Sequence, residues 1–159
     1  MDAIVAVYDD WGIGADGDQP IALSADRKFF RTTTKGSTVI VGRKTLAAFP
    51  GGNPLPKRRN IVLTRQGCDT EGIELAGSPG QAVEMSKADE TVFVIGGGTV
   101  YRQMLPMCDR AYVTKVHVRP ESDTFFPNLD EDPAWKLEEV LQSGEEEGIS
   151  NEMCLYGRA

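Results

Sequence analysis

Histidine is nearly missing from this chain: His117 stands alone among 159 residues. One imidazole cannot anchor a zinc site, so His117 is read as structural and no metal is expected. Cysteine is scarce and odd in number. Cys68, Cys108 and Cys154 lack a metal-ligand spacing and cannot all pair, which fits a reducing compartment, the cytoplasm. No apolar run approaches the ~20 residues of a membrane span. Met1-Asp2-Ala3-Ile4-Val5 lacks the basic flank and small-residue cleavage site of a secretory signal. Basic residues are outnumbered, 17 Lys and Arg against 24 Asp and Glu, giving a net charge of −7. That argues against nucleic acid or an anionic membrane as the main partner. Repeats and linker-like stretches are also lacking. One domain over 1–159 is expected, long enough to bury roughly two-thirds of its unfolded surface.

Against these absences stands a regular alternation of elements. Residues 3–8 are a β-branched run, read as a buried strand. Residues 9–20 form a polar loop with three glycines, whose length points to function. Ser24 is read as the N-cap of a helix over 25–34. A strand over 38–41 ends at Gly42, and a short helix over 43–48 is stopped by Pro50-Gly51-Gly52. Strands follow at 61–63 and near 73–75. Ser78-Pro79 opens a helix to about 86. A strand over 92–95 precedes three glycines and a helix over 99–105. A strand over 111–118 follows, then two closing strands, 135–141 and 152–157, joined by an acidic turn over 143–148. Glu145-Glu146-Glu147 is read as a solvated hairpin tip. Alternating strands and helices imply parallel pairing through crossovers, whereas strand after strand implies antiparallel edges. The expected class is α/β: a mostly parallel central sheet of about eight strands, about four flanking helices and an antiparallel C-terminal hairpin.

The most informative stretch is Val-Phe-Val-Ile-Gly-Gly-Gly-Thr-Val-Tyr over 92–101. Consecutive glycines at a strand end let backbone approach a bulky ligand, and the helix that follows aims its free N–H groups there. That suits a pyrophosphate at Gly96–Thr99. A glycine-rich turn without a ligand is the plainer alternative, since the full dinucleotide fingerprint is absent. Asp26, Phe29 and Phe30 share one helix face. A carboxylate beside two rings needs partners, and two parallel N–H donors of a heterocycle would satisfy it. An ordinary first-turn aspartate favoured by the helix dipole is the alternative. Arg43 and Lys44 follow one strand; Thr64 and Arg65 follow another. Ligands of open α/β sheets bind at such strand ends, where these groups suit a phosphate monoester. Solvated surface charge remains open for them, and for Arg58 behind Pro54-Leu55-Pro56.

Taken together, the order Ile13-Gly14, Pro20, Asp26, Phe30, Gly42-Arg43-Lys44-Thr45, Pro54-Leu55-Pro56-x-Arg58-x-Asn60, Ile95-Gly96-Gly97-Gly98-x-x-Tyr101, Thr114 and Asp123-Thr124-x-Phe126-Pro127 resembles bacterial dihydrofolate reductase across essentially the whole chain. The resemblance implies reduction of 7,8-dihydrofolate to tetrahydrofolate with NADPH by a cytoplasmic monomer. Asp26 matches the carboxylate that binds the pterin amino group and ring nitrogen, and Thr114 the threonine bonded to it. Phe30 matches the ring that packs on pterin and benzoyl groups, and Arg58 the clamp on the glutamate α-carboxylate. Pro54, Leu55 and Tyr101 complete the implied substrate surface. Arg43, Thr64 and Arg65 match the 2′-phosphate pocket. Gly96-Gly97 matches a pair joined by a cis peptide near nicotinamide and pyrophosphate. Val5, Ala6 and Ile95 match backbone contacts to pterin or carboxamide. The implied cofactor surface also takes Ile13, Gly14, Gly17, Asp18, Gln19, Gly42, Lys44, Thr45, Leu63, Gly98, Thr99, Val100, Tyr101 and Asp123. Residues 9–23 match a mobile loop that closes over the nicotinamide, with Asp123 as partner for its backbone.

Two positions depart from the family. Ile21 stands where a tryptophan usually packs beside the pterin and anchors a catalytic water. Arg27, directly after Asp26, replaces an apolar residue and is expected to line the folate pocket. Both changes are expected to weaken the response to small diaminopyrimidine inhibitors. The alternatives are the related NADPH-dependent pyrimidine reductase of riboflavin synthesis and a non-catalytic nucleotide-binding module. The first would not need Asp26 with Phe30; the second would not need these residues together.

Overall fold

The computed structural model describes residues 1–15 and 19–159. Ten strands are described: β1 Asp2–Val7, β2 Gly12–Gly14, β3 Thr38–Gly42, β4 Arg59–Leu63, β5 Ile73–Ala76, β6 Val92–Gly96, β7 Arg110–Val116, β8 Thr124–Phe125, β9 Trp135–Glu146 and β10 Ile149–Arg158. Four α-helices accompany them: α1 Ser24–Thr34, α2 Arg43–Ala47, α3 Pro79–Ser86 and α4 Gly98–Met104. Eight strands form one sheet in the order β5-β4-β3-β6-β1-β7-β10-β9. Every pair from β5 to β7 is parallel, and β10 runs antiparallel to both β7 and β9. The expected sheet and helix counts are therefore observed.

The pleat explains why the β-branched runs are apolar without interruption. Successive residues face opposite sides, and here both sides are covered. Val39, Val41, Val62 and Phe93 pack with Leu46 of α2 and Phe29 and Phe30 of α1. Ile40, Ile61, Val92 and Val94 pack on the other side with Ala82 of α3 and Met104 of α4. Parallel pairing also sets the functional edge: the C-terminal ends of β1, β3, β4, β5 and β6 open on the same side.

Three features differ from the sequence reading. The loop over 9–20 contains β2, which pairs antiparallel with β8. Strands this short leave too few residues for a period-two pattern to be visible. The acidic turn over 143–148 shrinks to Glu147 and Gly148, with φ of 50° and 79°. Two consecutive positive-φ residues make a tight hairpin turn matched to strand twist, so β9 and β10 extend almost to the tip. Glu146 at that tip is not merely solvated. Its carboxylate accepts from Ser24 N (2.8 Å), Ser24 Oγ (2.8 Å) and Ala25 N (3.1 Å). Ser24 is thus the first helical residue rather than the side-chain cap, and the cap arrives from a residue 122 positions away.

Candidate active site

A cleft of about 1040 Å3 opens at the shared strand ends. Its floor is backbone and small side chains: Val5 and Ala6 from β1, Gly42 from β3, Leu63 from β4, and Ile95-Gly96 from β6. At β6 the register with β3 slips, Ile40 facing Val94 and Val41 facing Gly96, so Ile95 is an extra residue there. Such bulges re-aim backbone beside functional sites. Gly96 has φ 124° and is joined to Gly97 by a cis peptide bond. A Cβ on Gly97 would meet Thr45 Oγ1 at 2.8 Å, and one on Gly98 would meet Thr124 Cγ2 at 2.5 Å. Only glycine leaves these backbones as close to α2 and β8 as they are.

At one end of the cleft α1 presents Asp26, Arg27 and Phe30. The Asp26 carboxyl is half-buried, and desolvation by burial raises its pKa above the ordinary carboxylate value. A hydrogen bond from the Thr114 hydroxyl and the nearby Arg27 charge oppose that rise. Thr114, on β7, is 1% exposed and lies behind Asp26 without lining the cleft. Tyr101 also lines this region. Its hydroxyl donates to the Ile4 carbonyl (2.7 Å), and burial and the Asp26 charge keep it a neutral phenol.

The other end is cationic. Arg43, Lys44 and Thr45 open α2, and Thr64 and Arg65 follow β4; all five line the cleft. None of these cations has a carboxylate within 4.0 Å among the described residues. Gly98, Thr99 and Val100 of α4 lie between the two ends. Ile13, Gly14, Gln19 and Asp123 close the outer wall. Asp123 N donates to the Gly14 carbonyl (2.9 Å), which ties the β2 segment to the β8 segment. Gly17 and Asp18 lie outside the described residues.

Four expected site residues do not line the cleft besides Thr114. Ile21 packs with Tyr8, Leu23 and Val116, its backbone held by the Tyr8 hydroxyl at 2.7 and 3.0 Å. Leu55 packs in the apolar cluster of Phe29, Phe30 and Phe49, and Pro54 precedes it. Arg58 reaches back to the C-terminal turn of α1. It donates to Thr34 Oγ1 (2.9 Å), the Pro56 carbonyl (2.8 Å) and the Arg31 carbonyl (3.3 Å). Burial and the neighbouring Arg31 charge lower its pKa.

The dihydrofolate reductase family pattern matches residues 1–158. The chain belongs to the dihydrofolate reductase family. It is 40% identical over 154 residues to the dihydrofolate reductase of Staphylococcus haemolyticus, covering 96% of this chain and 88% of that one. Identity to the Haemophilus influenzae dihydrofolate reductase is 41% over 126 residues, 79% of this chain and 77% of the relative. Among solved structures, a dihydrofolate reductase from Enterococcus faecalis complexed with NADP(H) and RAB-propyl superposes with a TM-score of 0.89. That structure is 33% identical and covers 99% of this chain and 95% of its own.

Several residues that line this dihydrofolate reductase cleft went unnoticed in the sequence. Phe49 stands directly before Pro50, and that turn-bound aromatic was the available signal. Ser78 and Pro79 reach the cleft from the start of α3, where Ser78 caps Gln81 N (3.1 Å). The cap was legible; its neighbourhood depends on β5 lying beside β4. Arg102 and Gln103 follow the glycine run by a turn of α4, a spacing shared with many surface residues.

Proposed function

We infer that this chain reduces 7,8-dihydrofolate to 5,6,7,8-tetrahydrofolate with NADPH. The observation that carries the reading is one cleft with a half-buried carboxylate, Asp26, at one end and unpaired cations, Arg43, Lys44 and Arg65, at the other. A neutral heterocycle with two parallel N–H donors fits the first end, and a phosphate monoester the second. The donor set therefore fits the cofactor. Arg43, Thr64 and Arg65 would hold its 2′-phosphate, and the Gly96–Thr99 backbone its pyrophosphate. When bound, NADPH supplies the hydride.

The chain's own residues do the rest. Asp26 orients the ring by charge-assisted hydrogen bonds, and Thr114 orients Asp26. Phe30 and Ile95 cover the ring faces, so that donor and acceptor are held together, which proximity alone accelerates greatly. Tyr101, neutral and anchored to the Ile4 carbonyl, fixes the β1 and β6 backbones beside the ring. The acceptor nitrogen must gain a proton. No second acid faces Asp26 from the described cleft wall, so Asp26 sets the field and a water delivers the proton.

We take residues 1–159 as one domain, since β1 and β10 belong to one sheet. A monomer in the cytoplasm is the accompanying proposal. Free Cys68, Cys108 and Cys154, two of them buried, support a reducing compartment. The test is consumption of NADPH with dihydrofolate, set against an aminopyrimidine bearing a ribityl phosphate. One-to-one oxidation of NADPH with dihydrofolate alone is expected. Turnover of the pyrimidine alone would assign the riboflavin-type reaction instead.

A further inference from the structure

The outer end of the cleft carries more positive charge than one carboxylate requires. Of the 17 Lys and Arg, only Arg59, Lys87, Arg110, Lys115 and Arg119 have a carboxylate within 4.0 Å among the described residues. Four of the other cations line the cofactor end. Six gather on α1 and the segment wrapped on its C-terminus: Arg27, Lys28, Arg31, Lys35, Lys57 and Arg58. In a chain of net charge −7 that concentration is not compositional.

Arg27, Arg31 and Lys35 recur every four residues, one stripe with a step of ~6 Å along the axis. Lys57 and Arg58 are fixed beside the stripe's far end. The Lys57 carbonyl accepts from Gly36 N (3.1 Å), and Arg58 is held by Thr34 Oγ1 and the Arg31 carbonyl. Arg31, Lys35 and Lys57 are exposed. The helix dipole accounts for Arg58 against the last carbonyls. It does not account for Arg27 in the first turn, where a cation is disfavoured. The two acids that influence Arg27 are engaged elsewhere, Asp26 in the cleft and Glu146 on the α1 N-terminus.

Asp26 and Thr34 are separated by ~12 Å of helix. A substrate whose ring sits at Asp26 therefore releases its tail at Arg58, among these cations. We propose that this end is a subsite for a substrate tail carrying several carboxylates, an oligoglutamate. Arg58 and Arg31 take the first glutamate, and Lys35 and Lys57 attract the next ones. The proposal rests on the folate reading of the cleft and names the form of substrate the cleft prefers.

The experiment compares dihydrofolate bearing one glutamate with dihydrofolate bearing three, in the wild type and in Lys35→Gln/Lys57→Gln, at low and high salt. In the wild type the longer tail lowers KM roughly three- to tenfold, the range of two exposed charge pairs. Added salt shrinks that difference, because exposed pairs are screened. The kcat value is unchanged, since the contacts are equal in ground and transition states. In the double variant the advantage falls below about twofold while the one-glutamate KM stays at the wild-type value. Equal KM for both tails in the wild type overturns the subsite. So does an advantage that survives in the double variant. Lack of any turnover with the one-glutamate substrate refutes the folate reading itself.

Discussion

Replacing Asp26 by asparagine is expected to move activity and stability in opposite directions. The carboxyl is half-buried, and burial outweighs the Thr114 hydrogen bond and the Arg27 charge, so its pKa in the fold lies above the unfolded value. The sign follows directly. The folded state binds this proton more tightly than the unfolded chain does. The group's stabilising contribution is full below the unfolded pKa near 4 and is lost as pH rises through the folded pKa. At pH 7 the ionised carboxylate therefore strains the empty cleft. Each tenfold weakening of the acid costs about 1.4 kcal/mol, or roughly 3–5 °C in a domain of this size. The Asp26→Asn variant keeps the shape and sheds the charge. Its melting temperature, measured by scanning calorimetry without ligand, is expected to exceed wild type at pH 7 and to match it near pH 3.5. Hydride transfer, measured in single turnovers at pH 7, is expected to fall at least ~10-fold, at least about 1.4 kcal/mol of transition-state stabilisation. A variant both as active as wild type and no more stable at pH 7 would refute the reasoning on both counts.

Other perturbations follow from the same geometry. Arg43→Ala with Arg65→Ala should abolish most of the preference for NADPH over NADH: one charge-assisted bond of about 1.5 kcal/mol already gives roughly tenfold, and the ratio of kcat/KM for the two cofactors measures it. Glu146→Ala should lower the melting temperature and raise the KM for dihydrofolate, because the α1 N-terminus loses its cap; Glu146→Gln should recover part of both. His117 bonds Asp9 (2.9 Å) and Glu152 (3.2 Å), and the Asp9 contact leads in raising its pKa. Its stabilisation is full below about pH 6.5 and lost as pH rises through the higher folded value, so His117→Gln should flatten the fall of melting temperature across that range.

The sheet was legible because β3, β4 and β6 are short β-branched runs separated by glycine, cap and proline signals that each act locally. The cofactor end was legible for the same reason: Gly42-Arg43-Lys44 and Thr64-Arg65 sit at strand ends, and parallel pairing brings those ends together. What escaped was set by tertiary neighbours. Glu146 looks like one of three solvated acids until the hairpin carries it to α1. Gly12–Gly14 becomes a strand only because Thr124–Phe125 lies alongside. Ile21 holds the position of a pterin-facing tryptophan by alignment, yet its backbone is fastened to Tyr8 and its side chain to the cluster behind the cleft wall. Arg58 was legible as a tail residue, but its anchorage on α1 depends on Thr34 and Arg31, 24 and 27 residues earlier.

The most direct test of the central claim is a crystal structure of the chain with NADP+ and folate bound together. The account requires both Asp26 carboxylate oxygens within hydrogen-bond distance of the pterin amino group and ring nitrogen, and the 2′-phosphate among Arg43, Thr64 and Arg65. A pterin bound away from Asp26, or a 2′-phosphate in open solvent, would contradict it.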